Sequence, residues 1–245
     1  MKLSIITPNL NGGKYLERTI KSVIEQDYKN IEYIIIDGGS TDDSQNIIKK
    51  YSKHISYYEF RKDNNMYEAL HYGFRKATGE IFTWLNSDDL YFQNCISKIM
   101  FKLEDKNYNW INCISTSINH DKIKSYEIPF FFPRSFIING KCHKSDYGFI
   151  PQESVFFSKN LYFQCGEIST EYNYAGDFYL WKKMAQIEKM YPINIKCGIF
   201  RKHADQLSSN IDEYYKELKK NYKYKKNYIR FIISIFYLLL FFYKT

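Results

Sequence analysis

The sequence predicts an α/β protein with a mostly parallel central sheet flanked by helices and a helical extension at its C-terminal end. Three observations predict it. Short apolar runs alternate with amphipathic helical patterns through residues 1–107. A polar cluster follows each apolar run, which is where ligands bind on sheets of this kind. Residues 211–245 then change character, first basic and afterwards almost wholly apolar.

Each element can be justified in order. Residues 3–7 (LSIIT) are a buried strand ending in Pro8-Asn9-Leu10-Asn11, and Leu16, Ile20, Val23 and Ile24 share one face of the helix that follows. IEYIII (31–36) is a second strand closed by Asp37-Gly38-Gly39. Ser40 followed by Asp43 reads as the N-cap of a helix whose apolar side is Ile47, Ile48 and Tyr51. ISYYEF (55–60) precedes Asp63-Asn64. Met66, Ala69, Leu70, Phe74 and Ala77 then recur at helical spacing, and EIFTWL (80–85) stops at Asn86-Ser87-Asp88-Asp89. Past residue 108 the alternation fades. YNWINCIS (108–115), FIPQESVFF (149–157) and NIKCGIF (194–200) read as strands, 117–148 as an irregular insertion with short strands, and a helix starts at Gly176-Asp177.

At 245 residues and 44% hydrophobic, the chain is long and apolar enough to bury a sizeable core, which argues against wholesale disorder. Its five cysteines are widely spaced and contain no C-x-x-C pair. A disulfide framework and a zinc site are therefore not expected, and a reducing cytoplasm fits. No secretory leader is expected from the start MKLSIITPNLN. The formal net charge is +8, and seven of the Lys and Arg residues fall between Lys216 and Arg230 with Glu217 as the lone acid among them. Basic groups gathered beside an apolar tail favour a membrane surface over nucleic acid as partner. As a helix, residues 229–243 would span about 22 Å, short of the roughly 30 Å hydrocarbon core. Residues 216–243 therefore read as lying in the interface at the inner face of the plasma membrane. Packing on the domain or on a second subunit is the other reading.

The adjacent carboxylates Asp88 and Asp89 end a strand in a polar turn. Alone, such a pair is most simply a turn or a helix cap. It also suits Mg²⁺ or Mn²⁺, which are held by one or two carboxylates together with diphosphate oxygens and stabilise charge on a departing nucleoside diphosphate.

SIITPNLN (4–11), IIIDGGSTD (34–42) and ATGEIFTWLNSDDLY (77–91), in that order, resemble the inverting family 2 glycosyltransferases of GT-A fold. The likeness is densest over residues 1–92. It resumes in FIPQESVFF, AGDFYLW and FRKHADQLS, as in a bacterial subgroup that builds surface polysaccharides. The resemblance implies that Pro8, Asn9, Asn11, Asp37, Asp63, Asn86, Asp88 and Arg201 face a nucleotide-sugar, with a UDP-sugar favoured. Asn86-Ser87-Asp88 stands in for the Asp-x-Asp motif. One of Asp88 and Asp89 ligates the metal, with Asp89 preferred, and His203 joins it unless it is an ordinary surface histidine. Asp177 takes the place of the catalytic base, kept ionised by a helix N-terminus, or else only caps that helix. Gln152 and Glu153 fall at an acceptor-side motif or a sheet-edge turn. Two departures stand out. Gly38 replaces the second of two consecutive acids, and Asn86 replaces the first acid of Asp-x-Asp.

The resemblance divides the chain into a GT-A domain over residues 1–210 and membrane-associating helices over 211–245. Within the domain, 1–107 is the nucleotide-sugar-binding half and 108–210 the acceptor and catalytic-base half. The expected partners are a nucleotide-sugar and a saccharide acceptor, possibly lipid-linked as the membrane tail implies. A sugar nucleotidyltransferase is the first competing class, but LNGGKYLER (10–18) is a poor glycine-rich phosphate loop. A non-catalytic membrane-bound binding protein is the second; it leaves the polar strand ends unexplained. A Rossmann dehydrogenase is disfavoured because no G-x-G-x-x-G follows the first strand.

Overall fold

A computed structural model describes residues 1–119, 122–126, 131–143, 147–204 and 206–221, with the backbone alone at 122–126, 220 and 221. Residues 222–243 of the expected membrane-associating segment lie outside the described residues.

The first half alternates as expected: β1 (Leu3–Asn9), α1 (Gly13–Ile24), β2 (Ile31–Asp37), α2 (Ser44–Lys50), β3 (Tyr57–Phe60), α3 (Met66–Lys76) and β4 (Ile81–Trp84). There follow β5 (Leu90–Tyr91), α4 (Ile96–Lys106), β6 (Trp110–Asn119), β7 (Lys122–Tyr126), α5 (Arg134–Ile138), β8 (Val155–Ser158), α6 (Lys159–Gln164), α7 (Gly176–Ile187), β9 (Tyr191–Lys202) and α8 (Ile211–Asn221). One sheet runs through both halves in the order β3-β2-β1-β4-β8-β6-β9-β5, with β7 added on β6. β3, β2, β1 and β4 are parallel. β8 joins β4 and β6 antiparallel, while β6 and β9 run parallel.

β1 is buried at every residue, as is β2 after Ile31, because helices cover both faces. Period-two alternation divides their side chains. Ile6, Ile34 and Ile36 enter a core with Leu70 and Phe74 of α3 and Trp181 of α7. Leu3, Ile5, Tyr33 and Ile35 enter the opposite core with Leu16 and Ile20 of α1 and Ile99 of α4. The strand order reverses at β1, which lies between β2 and β4, so a crevice opens beyond the carboxyl ends of β1 and β4.

Three differences from the sequence reading have local causes. Ser40 does not cap α2; its hydroxyl is given to Asp37, and α2 begins four residues later at Ser44. Gln152–Ser154 is a 3₁₀ turn, so the strand expected over 149–157 is confined to Val155–Ser158. β9 begins at Tyr191 and runs to Lys202 because β6 offers it a partner along most of that length.

α7 is fixed by three indoles. Trp181 stacks on Trp84 at the end of β4 with ring centroids 5.2 Å apart, and on Trp110 of β6 at 5.9 Å. A smaller cluster joins the first turn of α7 to α8 through Ala175, Phe178, Tyr214 and Leu218. Among the described residues no helix is long and apolar enough to cross a membrane.

Candidate active site

Asp37 organises the end of β1. It is fully buried, and its Oδ1 accepts from the backbone N–H groups of Gly39 (3.1 Å) and Ser40 (2.8 Å). Its Oδ2 accepts from Asn9 Nδ2 (2.6 Å) and Ser40 Oγ (2.7 Å). Asn11 adopts φ 52°, which turns its side chain back so that Oδ1 accepts from Thr41 N–H at 2.8 Å. With Nδ2 committed to Asp37, Asn9 Oδ1 is left buried without a partner. A Cβ on Gly12 would lie 2.2 Å from that oxygen, so only glycine fits there. Pro8 is buried in β1 one residue before Asn9. Asp63 belongs to the same edge: its buried carboxyl meets Arg61 Nε at 3.0 Å, and burial pushes its pKa up, with Asp37 among the lesser causes.

The two acids after β4 part company. Asp89 turns inward, fully buried, where its Oδ1 accepts from Arg201 N–H at 3.0 Å and its Oδ2 from Gln152 Nε2 at 3.4 Å. Burial, then Asp88 and Glu153, push its carboxyl well above the usual range. Asp88 stays partly open, and its Oδ2 lies 2.9 Å from His203 Nε2. Its carbonyl accepts from Arg201 Nε at 3.0 Å. The His203 ring lies 4.7 Å from that of Tyr15, over which Arg201 and Lys14 also sit at 5.0 Å. Tyr15 thus gathers three basic side chains beside the N-terminus of α1, which has no side-chain cap and no acid in its first turn.

No group of three or more His, Cys, Asp and Glu side chains converges as a metal cage among the described residues. Asp88 and His203 nonetheless present one oxygen and one nitrogen donor toward each other, and Asn86 Oδ1 beside them is buried without a partner. That set fits a divalent cation whose other ligands are diphosphate oxygens. Both Asp89 oxygens face protein donors, whereas Asp88 Oδ2 faces His203.

Asp177 stands in the first turn of α7, one helical turn before Trp181, whose stacking on Trp84 keeps it at the carboxyl edge that carries Asp88. Tyr67, at the start of α3, holds this turn: its hydroxyl donates to Tyr174 O at 3.0 Å and lies 3.4 Å from Asp177 Oδ1. A Cβ on Gly176 would lie 2.7 Å from the Tyr67 ring. Asp177 Oδ1 also accepts from Phe178 N–H at 2.7 Å. The helix end favours the ionised form of this acid, and burial opposes it, raising its pKa to about 6.

Gln152 therefore touches the acidic pair, whereas Glu153 is buried against Ser115 Oγ, beneath the site. Sequence reasoning missed Tyr15 and Glu217. Glu217 accepts from three successive backbone N–H groups ahead of α7. Neither carries a local signal, since each acts across a distant part of the chain. A polar groove of about 650 Å³ is lined among others by Arg61, Asn64, Tyr72, Thr170 and Lys183.

An α/β sheet with a crevice at its strand reversal, an acid–histidine pair on one side and the Asp177 carboxylate on the other, has the GT-A fold. Solved structures of that fold superpose on it. The chain covers 92% of itself and 68% of S. aureus TarS 1–349 in complex with UDP-GlcNAc, with a TM-score of 0.72 and 15% identity. For the mannosyltransferase PcManGT from Pyrobaculum calidifontis in complex with GDP-Man and Mn²⁺, the TM-score is 0.63 at 17% identity, covering 91% of this chain and 66% of that one. The model of glycosyl transferase family 2 matches residues 4–161, and the chain belongs to that family. An uncharacterized glycosyltransferase of Rickettsia typhi is 30% identical over 196 residues, which are 77% of this chain and 60% of that protein. One from Rickettsia prowazekii is 29% identical over 235 residues, 88% of this chain and 70% of its own.

Proposed function

We propose that the chain is an inverting glycosyltransferase that moves a sugar from a nucleoside diphosphate sugar, with UDP favoured, to a hydroxyl of a saccharide acceptor. The observation that carries this reading is the placing of Asp177, raised to about 6, at the same sheet edge as the Asp88–His203 pair. A carboxylate of that pKa is mostly ionised at neutral pH and basic enough to accept a proton. As the acceptor oxygen bonds to the anomeric carbon, its proton passes to Asp177, and the bond from that carbon to the diphosphate oxygen breaks on the opposite face. The nucleoside diphosphate leaves and the anomeric configuration inverts.

Pro8, Asn9 and Asn11 with Asp37 shape the nucleotide end of the crevice, where the unpartnered Asn9 Oδ1 offers an acceptor to a base N–H or a ribose hydroxyl. Asp63 and Asn86 face the donor beside them. Asp88 and His203 would hold Mn²⁺ or Mg²⁺, and a bound cation supplies charge neutralisation at the leaving diphosphate. Arg201 and Lys14, gathered over Tyr15, add positive charge at the same place. Asp89 holds the loop behind Asp88, and Gln152 ties that loop to the acceptor half.

Assembly of surface polysaccharide on a lipid-linked acceptor, with the protein peripheral at the inner face of the plasma membrane, is supported by the basic and apolar run over 216–243. The test is a panel of nucleotide sugars with Mn²⁺, scored by thermal shift and by release of nucleoside diphosphate. Release should require the cation and disappear in Asp177→Asn and Asp88→Ala. Pyrophosphate release from a nucleoside triphosphate would replace this reading with a nucleotidyltransferase, and no turnover of any donor would leave a binding protein. Deleting 229–245 should move the protein from the membrane to the soluble fraction; if it does not, the membrane part of the proposal falls.

A further inference from the structure

α7 begins without a side-chain cap, since Ala175 occupies the N-cap position. Its missing acceptor comes from another element. The carboxylate of Glu217 on α8 accepts from the backbone N–H groups of Asn173 (2.7 Å), Tyr174 (2.9 Å) and Ala175 (2.9 Å). Three successive amides converge on one side chain that is only 7% exposed. Tyr179 fastens the same junction from α7, its hydroxyl donating to the carbonyls of Glu217 (3.3 Å) and Leu218 (3.4 Å). Tyr67 takes the carbonyl of Tyr174 at 3.0 Å, so the peptide two residues before Asp177 is clamped on both its N–H and its C=O sides.

We infer that Glu217 is a positioning residue for the proposed base: by clasping the amides of residues 173–175 it fixes the first turn of α7 and with it the Asp177 carboxyl. The inference rests on the reading of Asp177 as that base. It gives α8 a part in the transfer step although no residue of α8 is proposed to touch substrate.

The groups facing Asp177 from the packed elements are Tyr67 of α3 and Tyr214 and Glu217 of α8, while His143 packs against Phe178 and Tyr215 beside them. Glu217 is the one acid among them, and its charge raises the Asp177 pKa by less than burial does. Removing that charge without removing the shape should therefore lower it.

The experiment compares full-length wild type, Glu217→Gln, Glu217→Ala and Asp177→Asn. Hydrogen exchange at amides 173–175 should accelerate in both Glu217 variants. Turnover should fall roughly 10- to 100-fold in Glu217→Ala, the loss expected when a reacting group is misplaced by about 1 Å. Donor affinity should stay within about two-fold, because the nucleotide end of the crevice is untouched. Glu217→Gln should retain more turnover than Glu217→Ala, and the acid limb of its pH–rate profile should move to lower pH. Unchanged exchange at 173–175 would overturn the clasp. Faster exchange with wild-type turnover would overturn its role in positioning. Full turnover in Asp177→Asn would instead strike the reading of Asp177, whatever the Glu217 variants do.

Discussion

Asp37 and Asp177 are both carboxylates at the carboxyl edge of one sheet, and their surroundings differ in the number of donors. Asp37 takes four hydrogen bonds, two at each oxygen, from Asn9, Gly39 and Ser40. Asp177 takes one short bond from Phe178 N–H and a long one from Tyr67. A carboxylate with every lone pair engaged is held rigidly by its donors. One that burial has raised to about 6 and that retains acceptor capacity is equipped for proton transfer.

The largest expected effect breaks the second half of this comparison. Asp177→Asn should reduce turnover about 10²- to 10⁴-fold, the usual worth of a general base, while donor affinity measured by titration changes little. The same variant sharpens the comparison through stability. The folded-state pKa of Asp177 is about 6 against an ordinary 3.8, so the native protein binds the proton more tightly than the unfolded chain. The stability this contributes is fully present below the ordinary value and is lost as pH rises through about 6. Asp177→Asn lacks the titration. Its melting temperature, relative to wild type, should therefore climb between those two pH values and level off above them.

Asp37→Asn should do the reverse. Its new amide would point an N–H at Asn9 Nδ2, itself a donor, and leave one buried donor unsatisfied, costing about 1–3 kcal/mol by chemical denaturation. Donor affinity should fall with it, since Asn9 loses its anchor, and whatever protein remains folded should keep a wild-type pH–rate profile.

The same contrast explains how much could be read from sequence. The knot at Asp37 is built from residues 9–41, so the turn chemistry of PNLN and DGGS announces it, as the alternating runs announce β1 to β4. Asp88 and Asp89 were visible as a pair, but not that Asp89 turns inward while Asp88 stays partly open. That depends on Arg201 N–H and His203, which reach them from β9 and the turn after it, more than a hundred residues on. Glu217 was hidden for another reason: among seven basic residues it reads as a solvated charge on a surface helix. Only the approach of α8 to α7 turns it into a cap. Ser40 shows the converse error, a good N-cap residue by type whose hydroxyl is committed to Asp37 instead.

The smallest effect separates backbone from side chain inside the Asp37 knot. Asn11 pays for its left-handed backbone, which costs an ordinary L-residue about 1–2 kcal/mol, and is compensated by the bond from Thr41 N–H to its Oδ1. Asn11→Ala keeps the strain and loses the bond, so it should destabilise by about 1–2 kcal/mol. Asn11→Gly loses the bond but relieves the strain, and should fall within about 0.5 kcal/mol of wild type. If the Gly variant also retains donor affinity, Asn11 shapes the loop through its backbone alone. If it keeps its stability but loses affinity, the Asn11 side chain contacts the nucleotide directly. In that case this position differs from Asp37, whose oxygens are engaged by protein donors, though the two lie in one loop system.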